Sequence, residues 1–131
     1  MKEIKIKTYI KDLTSALKRL ESALNSNYKL EDKIDLTVKR FEFTFETFWK
    51  FLKVRLENEG IQARSPRETF KKAVENNLIE ESNIWLDMID ARNITSHEYN
   101  LGKVEIIYPQ ISSYYRQMNH TLQQIAKTYK N

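Results

Sequence analysis

The sequence predicts an all-α protein, an antiparallel four-helix bundle with one additional short helix, and three observations lead to this prediction. Two glycines and two prolines among 131 residues leave few helix breakers. Apolar residues recur at the spacing i, i+3, i+4, i+7 in four long stretches, which places them on one face of a helix. Short polar segments separate these stretches, as the connections of a bundle require.

The composition indicates one domain spanning residues 1–131. Charged residues make up 31% with both signs mixed, and the net charge of +4 is compatible with RNA or nucleotide binding without demanding it. Without cysteine and with two histidines, neither a thiolate nor a histidine-only metal site can form, and we expect no metal or cofactor. Because the chain lacks a membrane-spanning apolar run and a signal-peptide hydrophobic region, we expect a cytoplasmic protein that does not bind membranes.

The two N-terminal segments predict the first two long helices. The first carries apolar residues from Tyr9 to Leu24 and ends at Asn25-Ser26-Asn27, with exposed lysines that we interpret as a solvated face. The second runs from about Glu31 to Glu59 and is closed by Gly60 as a C-terminal cap. Its phenylalanines alternate locally as in a strand, but the helical period of the whole segment favours a helix.

Aromatic residues lie on more than one face of the second helix. They include Phe41, Phe43, Phe45, Phe48 and Trp49. Core packing accounts for most of them, but one small bundle leaves part of this surface uncovered. We therefore expect a homodimer whose interface includes the helix that carries Arg92.

A short third helix should begin at Ser65-Pro66-Arg67-Glu68, where Ser is the N-cap, Pro the first helical residue and Glu closes a capping box. The densest basic patch of the chain surrounds it, with Glu68 as the opposing charge in sequence. Its members are Arg64, Arg67, Lys71 and Lys72. This patch is a weak candidate for binding phosphate or RNA, and a solvated helix face is the alternative.

Two further segments complete the bundle. The first should begin near Ser82 and end around Ser96–Tyr99, with Leu101-Gly102 forming the turn that follows. The apolar period of the last segment runs from Val104 to Ile125 and continues through Pro109. We expect one helix there, either kinked at the proline or beginning just before it.

Polar residues occupy the face of the Trp85 helix where packing would favour leucine. The apolar stripe that begins at Trp85 carries Arg92 in its middle, and Tyr99 projects on nearly the same line. A guanidinium on a buried face is costly unless it meets an anion or a hydrogen-bond partner. A second polar line follows one edge of this stripe and holds Asp90, Asn93 and His97.

The pattern R-x4-H-x-Y, formed by Arg92, His97 and Tyr99, is the only one with a local chemical rationale. Arg92 supplies a planar fork suited to phosphate, and His97 can move a proton near neutral pH. Residues five apart on a regular helix point about 140° apart. The two therefore converge only if the helix frays near Ser96 or if they meet across a symmetric dimer. Without a metal, such a pair suits RNA cleavage.

Other catalytic signatures are missing from the sequence. It has no glycine-rich phosphate loop, no DxD or HExxH spacing and no Ser or Cys nucleophile motif. The structural alternative to catalysis is that Arg92 pairs with Asp87 or Asp90 while His97 is simply exposed. The residues alone leave both alternatives open.

The segments around this motif resemble a known family. Arg92-Asn93 followed by His97 resembles the R-(polar)-x3-H motif of the HEPN superfamily. The extension through Tyr99-Asn100 resembles the nucleotidyltransferase substrate-binding proteins, to which the HepT-like toxins are related. Glu98 stands where an uncharged residue is common in that family. Further matching blocks are Phe41–Lys50, Glu59-Gly60, Ser65-Pro66-Arg67 and Trp85–Met88.

This resemblance implies a dimeric helical bundle that works with a separately encoded minimal nucleotidyltransferase. In active HEPN ribonucleases, the Arg and His face a cleft at the dimer interface and cut RNA without metal. Carried over, Arg92 and His97 are catalytic and Asn93 supports them. In the toxin–antitoxin form, the nucleotidyltransferase adenylylates the motif tyrosine, here Tyr99, and silences the cleft.

Two other functions remain open alongside the ribonuclease. One is a non-catalytic subunit whose cleft binds a nucleotide or substrate and presents it to the nucleotidyltransferase. The other is a generic helical adaptor. The presence of Arg92, His97 and Tyr99 together favours the ribonuclease, because binding alone does not require a titrating histidine.

Overall fold

The computed structural model describes residues 2–97 and 100–129, and every regular element in these ranges is helical. This confirms the all-α class. No helix within the described ranges is both long and apolar enough to cross a membrane. The elements are α1 (Lys2–Leu24), α2 (Leu30–Glu57), α3 (Pro66–Glu75), α4 (Ile84–His97) and α5 (Leu101–Ala126), followed by a 3-10 turn at Lys127–Tyr129.

The C-terminal end of α2 confirms the role predicted for Gly60. This glycine adopts a left-handed φ of 79°. That backbone conformation costs glycine less free energy than it costs a residue with a Cβ. Its N–H donates to the carbonyl of Glu57 at 2.9 Å, and the N–H of Ile61 donates to the carbonyl of Leu56 at 3.0 Å. These are the two bonds of a Schellman motif, so the chain leaves the helix at the glycine, as its sequence indicates.

The start of α3 also confirms its prediction. The Ser65 hydroxyl accepts a hydrogen bond from the N–H of Glu68 at 3.2 Å, and Pro66 is the first helical residue. The Glu68 carboxylate turns back to accept from the N–H of Arg64 at 2.7 Å, one residue earlier than a standard capping box. Serine and glutamate therefore satisfy two backbone donors at this end.

The predicted turn at Leu101-Gly102 is wrong, because both residues belong to the first turn of α5. The missed signal is Asn100, whose side-chain oxygen accepts from the N–H of Lys103 at 3.2 Å and caps the helix. Gly102 is thus a helical residue rather than a breaker. The period through Pro109 is confirmed as one helix, with the proline in its interior.

Helix α2 is the centre of the fold and packs against each of the other four helices. A stack of three aromatic rings joins it to α3 and α4: the Phe48, Phe70 and Trp85 rings lie 5.3–6.1 Å apart between centroids. Trp85 is 2% exposed and donates its indole N–H to the carbonyl of Glu80 at 2.8 Å. Burial of these rings fixes the height of α4 along α2.

Cross-helix bonds give the direction of the neighbours of α2. On one side, Arg40 donates to the carbonyl of Arg19 and Thr44 to that of Ala16, so α1 and α2 run in opposite directions. On the other side, two side-chain bonds with α4 show the same opposite sense, since Glu42 meets Ser96 and Glu46 meets Arg92. Helix α2 therefore presents one edge to α1 and another to the polar end of α4.

Candidate functional site

Arg92 lies on the face of α4 that contacts α2, where its charge is matched. Its Nη1 donates to Glu46 Oε1 at 2.6 Å, and its Cζ lies 5.4 Å from the ring centroid of Phe45. The side chain of Arg92 is 19% exposed and that of Glu46 is 35% exposed. The guanidinium predicted on a buried face thus has an anion on one side and an aromatic face on the other.

The predicted partners of Arg92 are wrong. Asp87 and Asp90 are exposed, and the carboxylate of Asp90 instead lies 3.8 Å from the guanidinium of Arg67. The reason is geometric: Arg92 follows the apolar stripe toward α2, whereas the two aspartates lie on other faces of α4. The partner comes from a helix 46 positions earlier in the chain.

Glu46 contacts Arg92 in the structure, and the sequence motifs did not single it out. The Lys50 contact exists at 3.9 Å, but the indole N–H of Trp49 also donates to Glu46 Oε2 at 3.1 Å. The two carboxylate oxygens are thereby held by different donors. Glu46 therefore orients Arg92 from a fixed position, and the signal that could have found it is an acidic residue between buried phenylalanines of α2.

Part of the Arg92 guanidinium remains without a partner. Its Nε is buried and has no hydrogen bond to any described residue. One turn further on, the Ser96 hydroxyl donates to Glu42 Oε2 at 2.9 Å and repeats the contact between the two helices. The polar end of α4 is thus anchored to α2 at two positions, and Arg92 keeps unused hydrogen-bonding capacity.

His97 and Asn93 are exposed on α4, away from the buried side of Arg92. The helix remains regular through His97, so it does not fray at Ser96. With about 140° between residues five apart on a helix, one chain does not bring Arg92 and His97 together. Of the two routes by which they could converge, only a second copy of the chain remains. Tyr99, the predicted modification site, lies outside the described residues.

The basic patch near α3 is less positive in the structure than in the sequence. Arg64 and Lys71 are exposed. Arg67 faces Asp90 of α4 at 3.8 Å, so Glu68 is not the only opposing charge. Lys72 lies 3.9 Å from Glu68 and donates to the carbonyl of Gln62 at 2.5 Å. Two of the four predicted cations are thus occupied by neighbours.

Two further features define the electrostatics of this part of the molecule. Among residues 2–97 and 100–129, no three His, Cys, Asp or Glu side chains gather closely enough to hold a metal ion. On α5, burial raises the pKa of Tyr114, and the nearby carboxylates of Asp87 and Asp90 raise it further. The exposed acidic face of α4 therefore acts on α5 as well as on Arg67.

The fold and this site define a class: a helical protein with an arginine anchored at a helix contact and a solvent-facing histidine on the same helix. Residues 8–127 match the model of a family described as nucleotidyltransferase substrate binding protein like. The chain belongs to this family. The resemblance to HEPN and HepT-like proteins read from its motifs is thereby confirmed.

Two similar proteins extend this assignment. Over 95 residues the chain is 29% identical to the probable ribonuclease HepT of Haemophilus influenzae, an alignment that covers 69% of this chain and 65% of that protein. The chain thus spans just under two thirds of the length of that relative. A crystal structure of a Thermus thermophilus protein superimposes with a TM-score of 0.78 at 32% identity, covering 86% of this chain and 98% of that one.

Proposed function

We propose that this protein is a metal-independent endoribonuclease that acts as a homodimer, with Arg92 and His97 as its catalytic residues. The observation that carries the proposal is the anchored position of Arg92, held by Glu46 at 2.6 Å with its guanidinium over the Phe45 ring, on the same helix as a solvent-facing His97. A fixed cation lowers the energy of a developing anion without reorganisation. The name of the Haemophilus relative, a probable ribonuclease, supports the same chemistry.

The dimer follows from the directions of these two side chains. Since a regular α4 points them about 140° apart, Arg92 of one copy has to meet His97 of a second copy. Exposed apolar side chains on α4 and at the start of α5 could form such a contact. Leu86, Leu101 and Ile106 are 42%, 55% and 74% exposed. In the proposed assembly, two antiparallel four-helix bundles join along α4 and the start of α5.

In the proposed reaction, His97 accepts the proton of a ribose 2′-hydroxyl, and the 2′-oxygen attacks the adjacent phosphorus. The P–O2′ bond forms as the P–O5′ bond breaks, giving a 2′,3′-cyclic phosphate. The leaving 5′-oxygen takes up a proton from an imidazolium. Arg92 stabilises the charge on the pentacoordinate phosphorus, and Asn93 supports substrate from the exposed face of α4.

A mixing experiment tests the composite site. Arg92→Ala and His97→Ala copies are each expected to be inactive on cellular RNA in excess EDTA. Co-expressed, they should regain about one quarter of the parent activity, because half of the dimers are mixed and one of their two clefts is intact. Activity in the His97→Ala protein alone contradicts the proposal, and so does a mixture that stays inactive.

Regulation by a separately encoded minimal nucleotidyltransferase is the second part of the proposal. The family description names such an enzyme, and the motif resemblance points to adenylylation of Tyr99 in a toxin–antitoxin pair. A nucleotide phosphate on Tyr99 would compete with RNA for Arg92. Mass spectrometry after incubation with the partner and ATP should find the modification on the parent and not on Tyr99→Phe. An unmodified parent contradicts this part alone.

A non-catalytic binding subunit is the second candidate function. The Arg92–Glu46 pair favours it, because a guanidinium that already has a carboxylate can serve structure alone. The family description also speaks of substrate binding rather than cleavage. This candidate predicts nucleotide or RNA binding by the parent without cleavage in EDTA. A parent that cleaves in a His97-dependent way excludes it.

A further inference from the structure

A groove runs between α1 and α2, and we propose that it binds single-stranded RNA and leads the strand to Arg92. The inference rests on the proposed ribonuclease function, and it adds the form of the RNA and its path. The groove has a volume of about 720 Å³. The residues that carry the argument are Tyr9, Arg19, Lys39, Phe43, Glu46 and Lys50, all of which line it.

Phe43 gives the groove a surface on which a base can stack. Its side chain is 64% exposed, whereas the other four phenylalanines of α2 are fully buried. Tyr9, from α1, is a half-buried second ring in the same groove. Exposed aromatic rings bind unpaired bases of any sequence through their π faces. A duplex keeps these faces stacked inside, so the ring selects single strands.

Positive charge surrounds this ring. The groove is lined by the cations Arg19, Lys39, Arg40 and Lys50, and by the carboxylates Asp12 and Glu46. The charge of Glu46 is already matched by Arg92 at 2.6 Å. The lining therefore carries a net positive charge, as the binding of a phosphate backbone requires.

Hydrogen bonds between α1 and α2 hold the two walls of the groove together in the absence of a ligand. The Nη1 of Arg40 on α2 donates to the carbonyl of Arg19 on α1 at 2.7 Å, and the Thr44 hydroxyl donates to that of Ala16 at 3.3 Å. These bonds lock the two helices at a fixed spacing. A preformed groove loses little conformational freedom on binding.

Glu46 connects the groove to the candidate site, because it lines the groove and holds Arg92. Phe43 and Glu46 are three residues apart on α2, which is about 4.5 Å along the helix axis. A base stacked on Phe43 therefore lies about one helical turn from Glu46, the lining residue that holds Arg92.

Fluorescence anisotropy with a labelled single-stranded RNA tests the groove. Its riboses carry 2′-O-methyl groups, which block the attacking hydroxyl and separate binding from cleavage. Phe43→Ala should weaken binding about 5-fold to 100-fold through the lost stacking. Lys39→Ala should reduce the slope of log K against log salt by about 0.7. Leu30→Ala and Lys18→Ala, exposed residues that neither line the groove nor belong to the proposed dimer contact, are the matched controls and should bind like the parent.

Three results of the binding and sedimentation experiments overturn the groove proposal. They are a Phe43→Ala variant that binds like the parent, a duplex that binds as tightly as the single strand, and a Phe43→Ala variant that sediments as a monomer where the parent is a dimer. The last result would make this face a contact between copies.

The groove proposal and the ribonuclease proposal can fail separately. Groove-dependent binding by a parent that does not cleave removes the ribonuclease alone. Unchanged KM for cleavage by Phe43→Ala removes the groove alone.

Discussion

The two halves of α4 differ in what they contribute to the molecule. In the first half, Trp85, Met88 and Ile89 are at most 4% exposed and join the aromatic stack with α2 and α3. In the second half, Ser96 and His97 are exposed and the contacts with α2 are polar. Arg92 lies at the boundary. If the proposed function is right, substitutions in the first half should mainly lower stability, and substitutions in the second half should mainly lower activity.

The largest expected effect is on activity, in the second half. His97→Ala should lower the rate of RNA cleavage about 10²-fold to 10⁴-fold by removing the general acid–base. Its unfolding free energy should stay within about 0.5 kcal/mol of the parent, because the side chain is exposed. Arg92→Lys keeps the charge but loses the planar fork, so most activity should also disappear. The measurements are cleavage rates in EDTA and urea unfolding.

The other exposed histidine, His120 on α5, provides the control for that experiment. His120→Ala should cleave at the parent rate. If both histidine variants lose activity equally, the effect does not come from the α4 motif, and the separation between the halves of the helix is lost.

In the first half, the expected effect is on stability. Trp85→Ala should reduce the free energy of unfolding by about 3–5 kcal/mol, because it opens a cavity between Phe48 and Phe70 and removes the bond to Glu80. Leu86→Ala, whose side chain is 42% exposed, is the neighbouring control and should cost about 1 kcal/mol or less. Equal losses in both variants would show that the stack is not what holds α4.

The Glu46→Gln substitution tests the ion pair of Arg92, the residue at the boundary between the two halves of α4. Removing the carboxylate charge should cost about 1–2 kcal/mol of stability, since the pair is only partly shielded from water. The activity should fall as well, because Arg92 loses its fixed orientation. A double-mutant cycle with Arg92→Lys measures the coupling energy. Glu42→Gln, which touches Ser96 one turn earlier, should leave the cleavage rate higher than Glu46→Gln does.

The smallest expected effect is on the free energy of unfolding at alkaline pH. It involves Tyr114 of α5 and the nearby carboxylates of α4. Burial, followed by Asp87 and Asp90, raises the pKa of Tyr114 above the usual value of about 10. The folded state therefore favours the protonated phenol, and this stabilisation is complete below pH 10 and lost as pH rises through the folded-state pKa. Between about pH 9 and 12, unfolding free energy should fall less steeply in Tyr114→Phe than in the parent. Parallel curves would contradict this.

Local signals in the sequence predicted local structure well. The serine cap of α3 and the Gly60 ending of α2 depend on residues within a few positions of each other, and both are present. The period through Pro109 likewise predicted one helix. Asn100 was missed as a cap because Gly102 beside it indicated a turn. A glycine in a first helical turn and one in a loop look alike in sequence.

The partners of the charged residues could not be predicted from spacing. Arg92 pairs with Glu46 and Arg67 with Asp90, and both pairs join different helices. Which carboxylate a guanidinium meets depends on how the helices pack, and the apolar period determines only which face each helix buries. The sequence therefore identified Arg92 as unusual without identifying the residue that orients it. In the proposed dimer, its relation to His97 depends on a second chain.

Pro109 divides α5 into two parts that should differ in local stability. Pro109 has no N–H to offer the carbonyl of Glu105, so the hydrogen-bond ladder is interrupted two turns after the helix begins. Those two turns, residues 101–108, also carry two largely exposed apolar side chains, Leu101 and Ile106. They should open on their own, and their amides should exchange with deuterium sooner than those of residues 111–125. Fast exchange confined to residues 101–108 would show that the stretch next to Tyr99 in the chain opens while the core of α5 stays folded.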